Sequence, residues 1–265
     1  YDYKVFLKDM RRAVKKGDIP QSRIDDAVTR ILRQKFTAGL FDQSDQSDAL
    51  NTVGSSVHRQ LARKAVSSSA VLLKNSDELL PLAKANQHIL VAGSGTDNIG
   101  RQSGAWTIEW QGVDGNWMPG GDSILEGIRQ VVGADSIVDY NRDARFATMP
   151  QKADVGIVVV SEKPYAEGWG DNAYPTLDPL DLSAINKMNQ FTDKVVVIII
   201  SGRPLLISDQ LSDWDAVVAA WLPGSEGAGV ADVLFGNSSF TGTLPLPWPS
   251  TIEQVPINAD GQTSN

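Results

Sequence analysis

Three acidic and two aromatic residues share one short segment, residues 161–172. Glu162 lies near its start, and Glu167 is followed closely by Trp169, which has a glycine on each side. A carboxyl group beside aromatic side chains can have a raised pKa and act as a general acid. A solvated acidic loop is the alternative interpretation, because surface carboxylates are common. The residues alone leave both interpretations open.

Trp106 and Trp110 form a second candidate feature. Their spacing projects both side chains to the same side of either a helix or a strand. Glycine, serine and glutamine flank them, and Trp117 follows. A tryptophan in a polar, glycine-rich loop can stack on the C–H face of a sugar ring while polar neighbours bind its hydroxyls. Packing within the core or the loop is the alternative.

A glycine-rich segment at residues 93–100 does not complete a nucleotide-binding motif. The dinucleotide fingerprint requires a third glycine at position 98, where the chain has Asn98, and the Gly-Lys-Ser/Thr of a P-loop is absent. We interpret the segment as a turn after a strand that carries a binding loop. A nucleotide-binding α/β domain is therefore disfavoured.

Composition excludes further classes of function. The chain has no cysteine, and its 2 histidines, His58 and His88, lie in neither a His-x-x-x-His nor a Gly-x-Ser-x-Gly motif. We predict no metal site and no cofactor. A net charge of −8 disfavours nucleic-acid binding. The apolar run at 195–200 is far shorter than the roughly 20 residues of a membrane span.

The second half of the chain has the pattern of a parallel sheet. Nearly continuous apolar runs predict strands buried on both faces, at residues 89–92, 155–160, 195–200 and 216–220. Helical patterns lie between these runs at residues 123–132 and 183–191, and after the last of them at 226–234. This order predicts a three-layer α/β/α sandwich with a mostly parallel sheet, and ligands then bind at the carboxyl ends of its strands. The proline-rich residues 241–249 suit an edge strand.

The first part of the chain has helical patterns. One helix falls within residues 1–20, and a second has Ser22 as its N-cap and ends at Gly39. Residues 42–56 have the composition of a linker or long surface loop, and a further helix spans 58–69. The chain opens with Tyr1 in an already helical pattern, so we expect it to be part of a longer protein.

Ordered motifs along nearly the whole chain resemble the C-terminal part of family 3 glycoside hydrolases, most closely the exo-β-glucanases. They include Trp-Thr-Ile-Glu-Trp-Gln-Gly at 106–112 and Pro-Tyr-Ala-Glu at 164–167. Other matching segments are 22–32, 62–66, 71–75, 80–82, 170–172, 201–204, 221–227 and 234–236. The resemblance implies that residues 1–20 end a (β/α)₈ barrel, 21–60 form a helical interdomain linker, and 61–265 form the sandwich.

The resemblance also implies roles for the candidate residues. The enzyme would hydrolyse β-glucosides or β-glucans with retention, using a nucleophilic aspartate on the barrel. Glu167 resembles the general acid/base, with Glu162 the runner-up. Trp106 and Trp110 resemble subsite aromatics. Trp169 departs from the family pattern, where a smaller polar residue is expected, and could add a stacking surface.

Further expectations follow from this resemblance. Ser212-Asp213-Trp214 has the letters of the nucleophile motif, but it precedes a predicted sandwich strand, so we interpret it as a coincidence. Without the barrel the chain is expected to be inactive. The family analogy implies a secreted or periplasmic location. The competing interpretation is a non-catalytic carbohydrate-binding or interface domain.

Overall fold

The chain divides into two compact units, Tyr1–Val53 and Gly54–Asn265. A computed structural model describes residues 2–42 and 52–256. Most of the loop predicted at 42–56 therefore lies outside the described residues.

The described part of the first unit consists of α1 (Tyr3–Lys16) and α2 (Gln21–Thr37). The Asp2 side chain accepts hydrogen bonds at the start of α1. The prediction of Ser22 as the N-cap of α2 is wrong, because the helix begins one residue earlier and Pro20 occupies the cap. Ser22 therefore lies inside the first turn.

The second unit contains a six-stranded sheet of order β1-β6-β5-β4-β2-β3. Strand β1 pairs antiparallel with β6, and all other pairs are parallel. The strands are β1 (Val71–Asn75), β2 (His88–Ala92), β3 (Ile137–Tyr140), β4 (Val155–Ser161), β5 (Val195–Ile200) and β6 (Ala216–Trp221). The four apolar runs predicted as strands are confirmed. The sequence missed β3, because this edge strand is only partly buried and Asp139 interrupts its apolar pattern.

Helices cover both faces of the sheet. The helices of the second unit are α3 (Ser56–Ser69), α4 (Ile99–Ser103), α5 (Ile124–Val131), α6 (Pro179–Met188) and α7 (Ala228–Leu234). One face packs against α5 and α7, with Ile128 and Val230 in its core. The other packs against α6 through Ile185 and Met188. Alternate residues of each central strand enter the two cores, which confirms the three-layer sandwich.

The edge strand predicted at 241–249 is wrong. This segment forms no strand in the structure. Pro245, Pro247 and Pro249 lack the N–H groups that a ladder requires, so irregular structure is favoured. Helix α6 also begins earlier than predicted, because Pro179 starts its first turn and the Asp178 side chain caps it.

The chain reverses its winding between β2 and β4. After β2 it crosses to β3 on one side, and after β4 it crosses to β5 on the other. The loops that leave the carboxyl ends of β2 and β4 therefore diverge and open a crevice, which is the usual ligand position in such sheets. Gly93 ends β2 in this crevice, with φ +101° and its α-carbon close against Val159 of β4.

We expect Gly93→Ala to destabilise the protein strongly. A β-carbon at this position would lie 2.2 Å from the Val159 carbonyl oxygen, and a backbone atom inside a sheet cannot move aside. The expected loss of unfolding free energy is about 2–5 kcal/mol, combining positive-φ strain with the clash. Urea denaturation measures it.

Gly54→Ala is the matched control. Gly54 also has a positive φ, +69°, but nothing lies within 4 Å of its β-carbon position. Its expected loss is only about 1 kcal/mol. Equal losses for the two variants would show that the close approach to β4 contributes nothing.

Candidate active site

The loop after β2 presents an exposed pair of tryptophans. We call residues 104–112 the aromatic loop; it follows α4, whose N-cap is Asn98. The Trp106 amide donates to the Trp110 carbonyl at 3.1 Å, so the loop folds back on itself. The two rings lie 6.5 Å apart between centroids. Both side chains are exposed, as surface available to a ligand must be.

The loop after β4 brings Glu167 to this aromatic pair. We call residues 161–172 the acidic loop. Glu167 begins a 3₁₀ turn, Glu167–Gly170, and its φ of +47° lies in the left-handed region. The Trp110 indole Nε1 donates a hydrogen bond to Glu167 Oε2. The structure thus joins two residues that are far apart in sequence and that the sequence had singled out separately.

Trp169 lies in the same turn but points to a different space. It is 78% exposed and lines a cavity of about 360 Å³ together with Glu162, Lys163 and Tyr165. Trp169 is therefore separate from the Trp106–Trp110 pair, and it offers a second exposed aromatic surface.

Glu162 is engaged by an arginine and a tyrosine. Its Oε1 accepts from Arg203 Nη2 at 2.7 Å and from Nε at 3.0 Å. Its Oε2 accepts from the Tyr165 hydroxyl at 3.0 Å. Burial, with the adjacent charge of Glu162, raises the pKa of Tyr165 to about 12, so the hydroxyl stays a donor. Both carboxylate oxygens of Glu162 are thus occupied.

Arg203 connects the two ends of the acidic loop by hydrogen bonds. Besides its bonds to Glu162 near the loop's start, its Nη1 donates to the Gly170 carbonyl at 2.6 Å. Its guanidinium lies 4.5 Å above the Tyr165 ring, a cation–π distance. Glu162 is therefore held near the start of the loop, whereas Glu167 lies in its exposed middle. The sequence had placed Arg203 only within a family motif, without a role.

Asp181 links the segment that follows β2 to the start of the acidic loop. Its side chain accepts from the Ser94 amide at 2.9 Å, from the Ser94 hydroxyl at 2.6 Å and from the Ser161 amide at 3.1 Å. Burial raises the pKa of Asp181, and these hydrogen bonds partly offset that effect. The sequence did not reveal this residue, because an acid in the first turn of a helix is common.

Arg101 forms an ion pair with Asp114 and also contacts the start of the acidic loop. Arg101 is 4% exposed and contacts Asp114 through Nε at 3.0 Å and Nη2 at 2.9 Å. Its Nη1 reaches the Ser161 hydroxyl at 3.1 Å. Hydrogen bonding from Arg101, with help from Asn98, lowers the pKa of Asp114 to about 2.

Ser212-Asp213-Trp214 lies away from these loops. It immediately precedes β6, at the amino end of a strand that runs parallel to β4, so it belongs to the opposite edge of the sheet. Trp214 is only 2% exposed. This segment therefore does not contribute to the crevice that holds Glu167.

Over residues 2–42 and 52–256, no cluster of three His, Cys, Asp or Glu side chains could hold a metal ion. None of the helices described there is long and apolar enough to cross a membrane.

Comparison with known proteins assigns the chain to a family. The model of the glycosyl hydrolase family 3 C-terminal domain matches residues 70–265. The chain belongs to glycosyl hydrolase family 3. This membership confirms the resemblance of the sequence motifs, and the solved relatives below share the α/β sandwich.

Solved relatives of this family 3 chain include an exo-β-glucanase and a β-glucosidase. The exo-1,3/1,4-β-glucanase of a Pseudoalteromonas species is 39% identical, with a TM-score of 0.83 over 93% of this chain and 32% of that chain. The β-glucosidase of Listeria innocua in complex with glucose is 26% identical, with a TM-score of 0.80 over 95% of this chain and 35% of that chain.

A curated relative, the lysosomal β-glucosidase of Dictyostelium discoideum, is 31% identical over 96% of this chain and 33% of that protein. The chain thus spans about a third of the length of the curated relatives it matches.

The Arg101–Asp114 pair predicts a pH-dependent loss of stability. A carboxylate with a lowered pKa stabilises the fold above its unfolded pKa, and the contribution disappears as the pH falls toward its folded pKa. We expect Asp114→Asn to lower the unfolding free energy by about 1 kcal/mol at pH 7, less than full linkage predicts because Asp114 is half exposed. The difference should shrink as the pH falls from the unfolded pKa near 4 through the folded pKa of about 2.

Urea denaturation across this pH range measures the effect, and Asp143→Asn is the control. Asp143 has nearly the same side-chain exposure, 53% against 50%, but its nearest guanidinium nitrogen, on Arg145, is 3.9 Å away. A difference for Asp114→Asn that is constant from pH 7 to pH 2 would contradict the assigned role of Arg101.

Proposed function

We propose that this chain is the part of a retaining β-glucoside hydrolase that supplies the general acid/base and an aromatic sugar-binding surface. The hydrogen bond from the Trp110 indole to the Glu167 carboxylate carries the proposal. It joins a flat aromatic platform to an exposed carboxyl group at the carboxyl ends of adjacent strands. A glycosidic oxygen over Trp110 would then lie within reach of Glu167.

In the proposed mechanism Glu167 acts twice. An aspartate on a (β/α)₈ barrel outside this chain attacks the anomeric carbon while Glu167 protonates the departing glycosidic oxygen. Glu167 then deprotonates water, which releases the sugar with retained configuration. The two carboxyl groups must approach to about 5–5.5 Å. An exposed Glu167 suits this arrangement, because its partner comes from another domain.

Glu162 is disfavoured as the acid/base by its contacts. A general acid must be free to reach the leaving oxygen, whereas both oxygens of Glu162 are bound by Arg203 and Tyr165. We propose that Glu162 anchors the acidic loop, so that its loss disturbs Glu167 indirectly.

The proposed substrate class is β-glucosides and β-gluco-oligosaccharides. Trp106 and Trp110 would stack on sugar rings near the scissile bond, and Trp169 on a more distant part of the substrate. The names of the relatives, an exo-1,3/1,4-β-glucanase and a β-glucosidase, support this class.

The proposal also assigns the parts of the chain. Residues 1–20 would end the barrel, 21–60 would form the interdomain linker, and 61–265 the sandwich domain. A secreted or periplasmic location is proposed by analogy; a relative from Salmonella typhimurium is named a periplasmic β-glucosidase.

Replacing Glu167 tests the proposal in the full-length protein. We expect Glu167→Ala to lower kcat/KM about 10²–10⁴-fold for aryl β-glucosides with poor leaving groups, because these require protonation. For a substrate whose leaving group needs no proton, such as 2,4-dinitrophenyl β-glucoside, azide should restore turnover and yield a β-glycosyl azide, because a small anion can attack the glycosyl-enzyme without a general base. Steady-state kinetics and product analysis measure both effects.

Glu162→Ala and Glu78→Ala are the comparison variants. Glu78→Ala, on an exposed turn, should behave like the wild type, and Glu162→Ala should lose activity without azide rescue. Azide rescue of Glu162→Ala, with a nearly wild-type Glu167→Ala, would transfer the acid/base role to Glu162.

The chain by itself should hydrolyse no aryl β-glucoside, because the proposed nucleophile lies on another domain. Release of nitrophenol from an activated substrate by the purified 265-residue chain measures this. Turnover that persists after repeated purification would place a nucleophile inside the chain. Sugar binding by a full-length protein that lacks turnover would instead favour the non-catalytic carbohydrate-binding alternative.

A further inference from the structure

Gln111 binds the main chain of the acidic loop with both ends of its side-chain amide. Its Oε1 accepts from the Ala166 amide at 2.8 Å, and its Nε2 donates to the Ala166 carbonyl at 3.3 Å. The side chain therefore occupies both hydrogen-bonding groups of one residue, as a neighbouring strand would. Ala166 is only 6% exposed, so these groups have little access to water as an alternative partner.

This contact lies directly beside the Glu167 carboxylate. Ala166 precedes Glu167, and Gln111 follows Trp110, which donates to that carboxylate. Two consecutive residues of the aromatic loop thus bind two consecutive residues of the acidic loop. Trp110 binds the Glu167 side chain, and Gln111 binds the Ala166 main chain. The orientation of the Ala166–Glu167 peptide determines where the Glu167 side chain starts.

The backbone at Glu167 needs such support. A non-glycine residue at φ +47° is strained relative to ordinary backbone and persists only where its surroundings hold it. The two hydrogen bonds from Gln111 to the preceding residue are contacts of this kind. No other side chain of the same length supplies a donor and an acceptor together, since glutamate lacks the donor and asparagine is one methylene shorter.

The loops also touch closely on the far side of Gln111. A β-carbon at Gly112 would lie 2.6 Å from the Pro164 side chain and 2.5 Å from the Gly104 carbonyl. The aromatic loop therefore approaches the acidic loop at residues 110, 111 and 112 in turn. Gln111 is the middle residue of this contact. Among the hydrogen bonds described between the loops, only those of Gln111 engage both the N–H and the C=O of one residue.

We infer that Gln111 is a positioning residue that sets Glu167 against Trp110 by binding the main chain of Ala166. It acts through the backbone that carries the carboxylate. This inference rests on the proposed role of Glu167 as acid/base, and it adds a specific cause for the placement of that residue.

The first test compares leaving groups in the full-length protein. We expect Gln111→Met, which keeps the side-chain length but removes both hydrogen bonds, to lower kcat/KM about tenfold or more for an alkyl or phenyl β-glucoside. For 2,4-dinitrophenyl β-glucoside, whose leaving group needs no proton, the expected loss is less than about twofold, because only the acid is misplaced. Equal losses for both substrates would overturn the inference and leave Gln111 a structural role.

The second measurement follows the indole without using catalysis. With 5-fluorotryptophan incorporated, the ¹⁹F signal of Trp110, assigned with Trp110→Phe, reports the hydrogen bond from the indole to Glu167, so it should move in Glu167→Ala, which removes the acceptor. In Gln111→Met the Trp110 signal should move in the same direction. An unchanged signal in Gln111→Met would show that Gln111 does not hold the pair together, and the inference would fail.

Two further variants complete the test. If Gln111→Met does not fold, Gln111→Asn takes its place: it keeps the amide but is one methylene too short to reach Ala166, so the same two results are expected. Gln190→Met is the matched control, because Gln190 is exposed and lies at the end of α6, away from both loops. It should match the wild type in both measurements.

The two proposals fail in distinguishable ways. If Glu167→Ala keeps full activity, the acid/base assignment is wrong, while the ¹⁹F measurement still reports whether Gln111 holds Trp110 and Glu167 together. If Glu167→Ala loses activity but Gln111→Met shows neither the leaving-group difference nor the spectral change, only the role of Gln111 is wrong.

Discussion

Strands β2 and β4 lie side by side and parallel, and the position of each candidate site residue depends on that pairing. The aromatic loop belongs to the chain that leaves β2, and the acidic loop leaves β4 directly. Because the chain then turns to opposite sides of the sheet, neither loop covers the other's strand end. The close approach of Gly93, directly after β2, to Val159 of β4 keeps the ends of the two strands next to each other. The hydrogen bond between Trp110 and Glu167 depends on this arrangement of the two strands.

The acidic loop separates two glutamates by environment. Glu162 is bound by Arg203 and Tyr165 and serves the loop, whereas Glu167 is exposed and meets only a tryptophan N–H among the side-chain contacts described. The same residue type can therefore anchor or react, depending on how many donors surround it. The buried Asp181 is a third carboxylate, and it accepts hydrogen bonds from the segment that follows β2 and from the start of the acidic loop.

Unfavourable backbone conformations occur in both loops that form the candidate site. Trp106, Ile108 and Glu167 all have positive φ values. Such conformations persist only where surrounding contacts enforce them. Here the contacts are the Trp106–Trp110 main-chain hydrogen bond, the bonds from Gln111 to Ala166, and the bond from Arg203 to the Gly170 carbonyl. The strain and the contacts that offset it belong to the same two loops, so substitutions at the contacts are expected to move the site rather than unfold the sheet.

The sequence by itself determined the class of fold and the candidate residues. Continuous apolar runs must be buried on both faces, and the family motifs single out Glu167, Glu162 and the tryptophans. It could not reveal β3, an edge strand with a weak apolar signal, and it wrongly favoured an edge strand at 241–249. Only the tertiary structure decided which glutamate is engaged and which is exposed, because Arg203, Gln111 and Asp181 act across large sequence separations. Local patterns report burial and turns, whereas contacts between loops depend on which strands become neighbours.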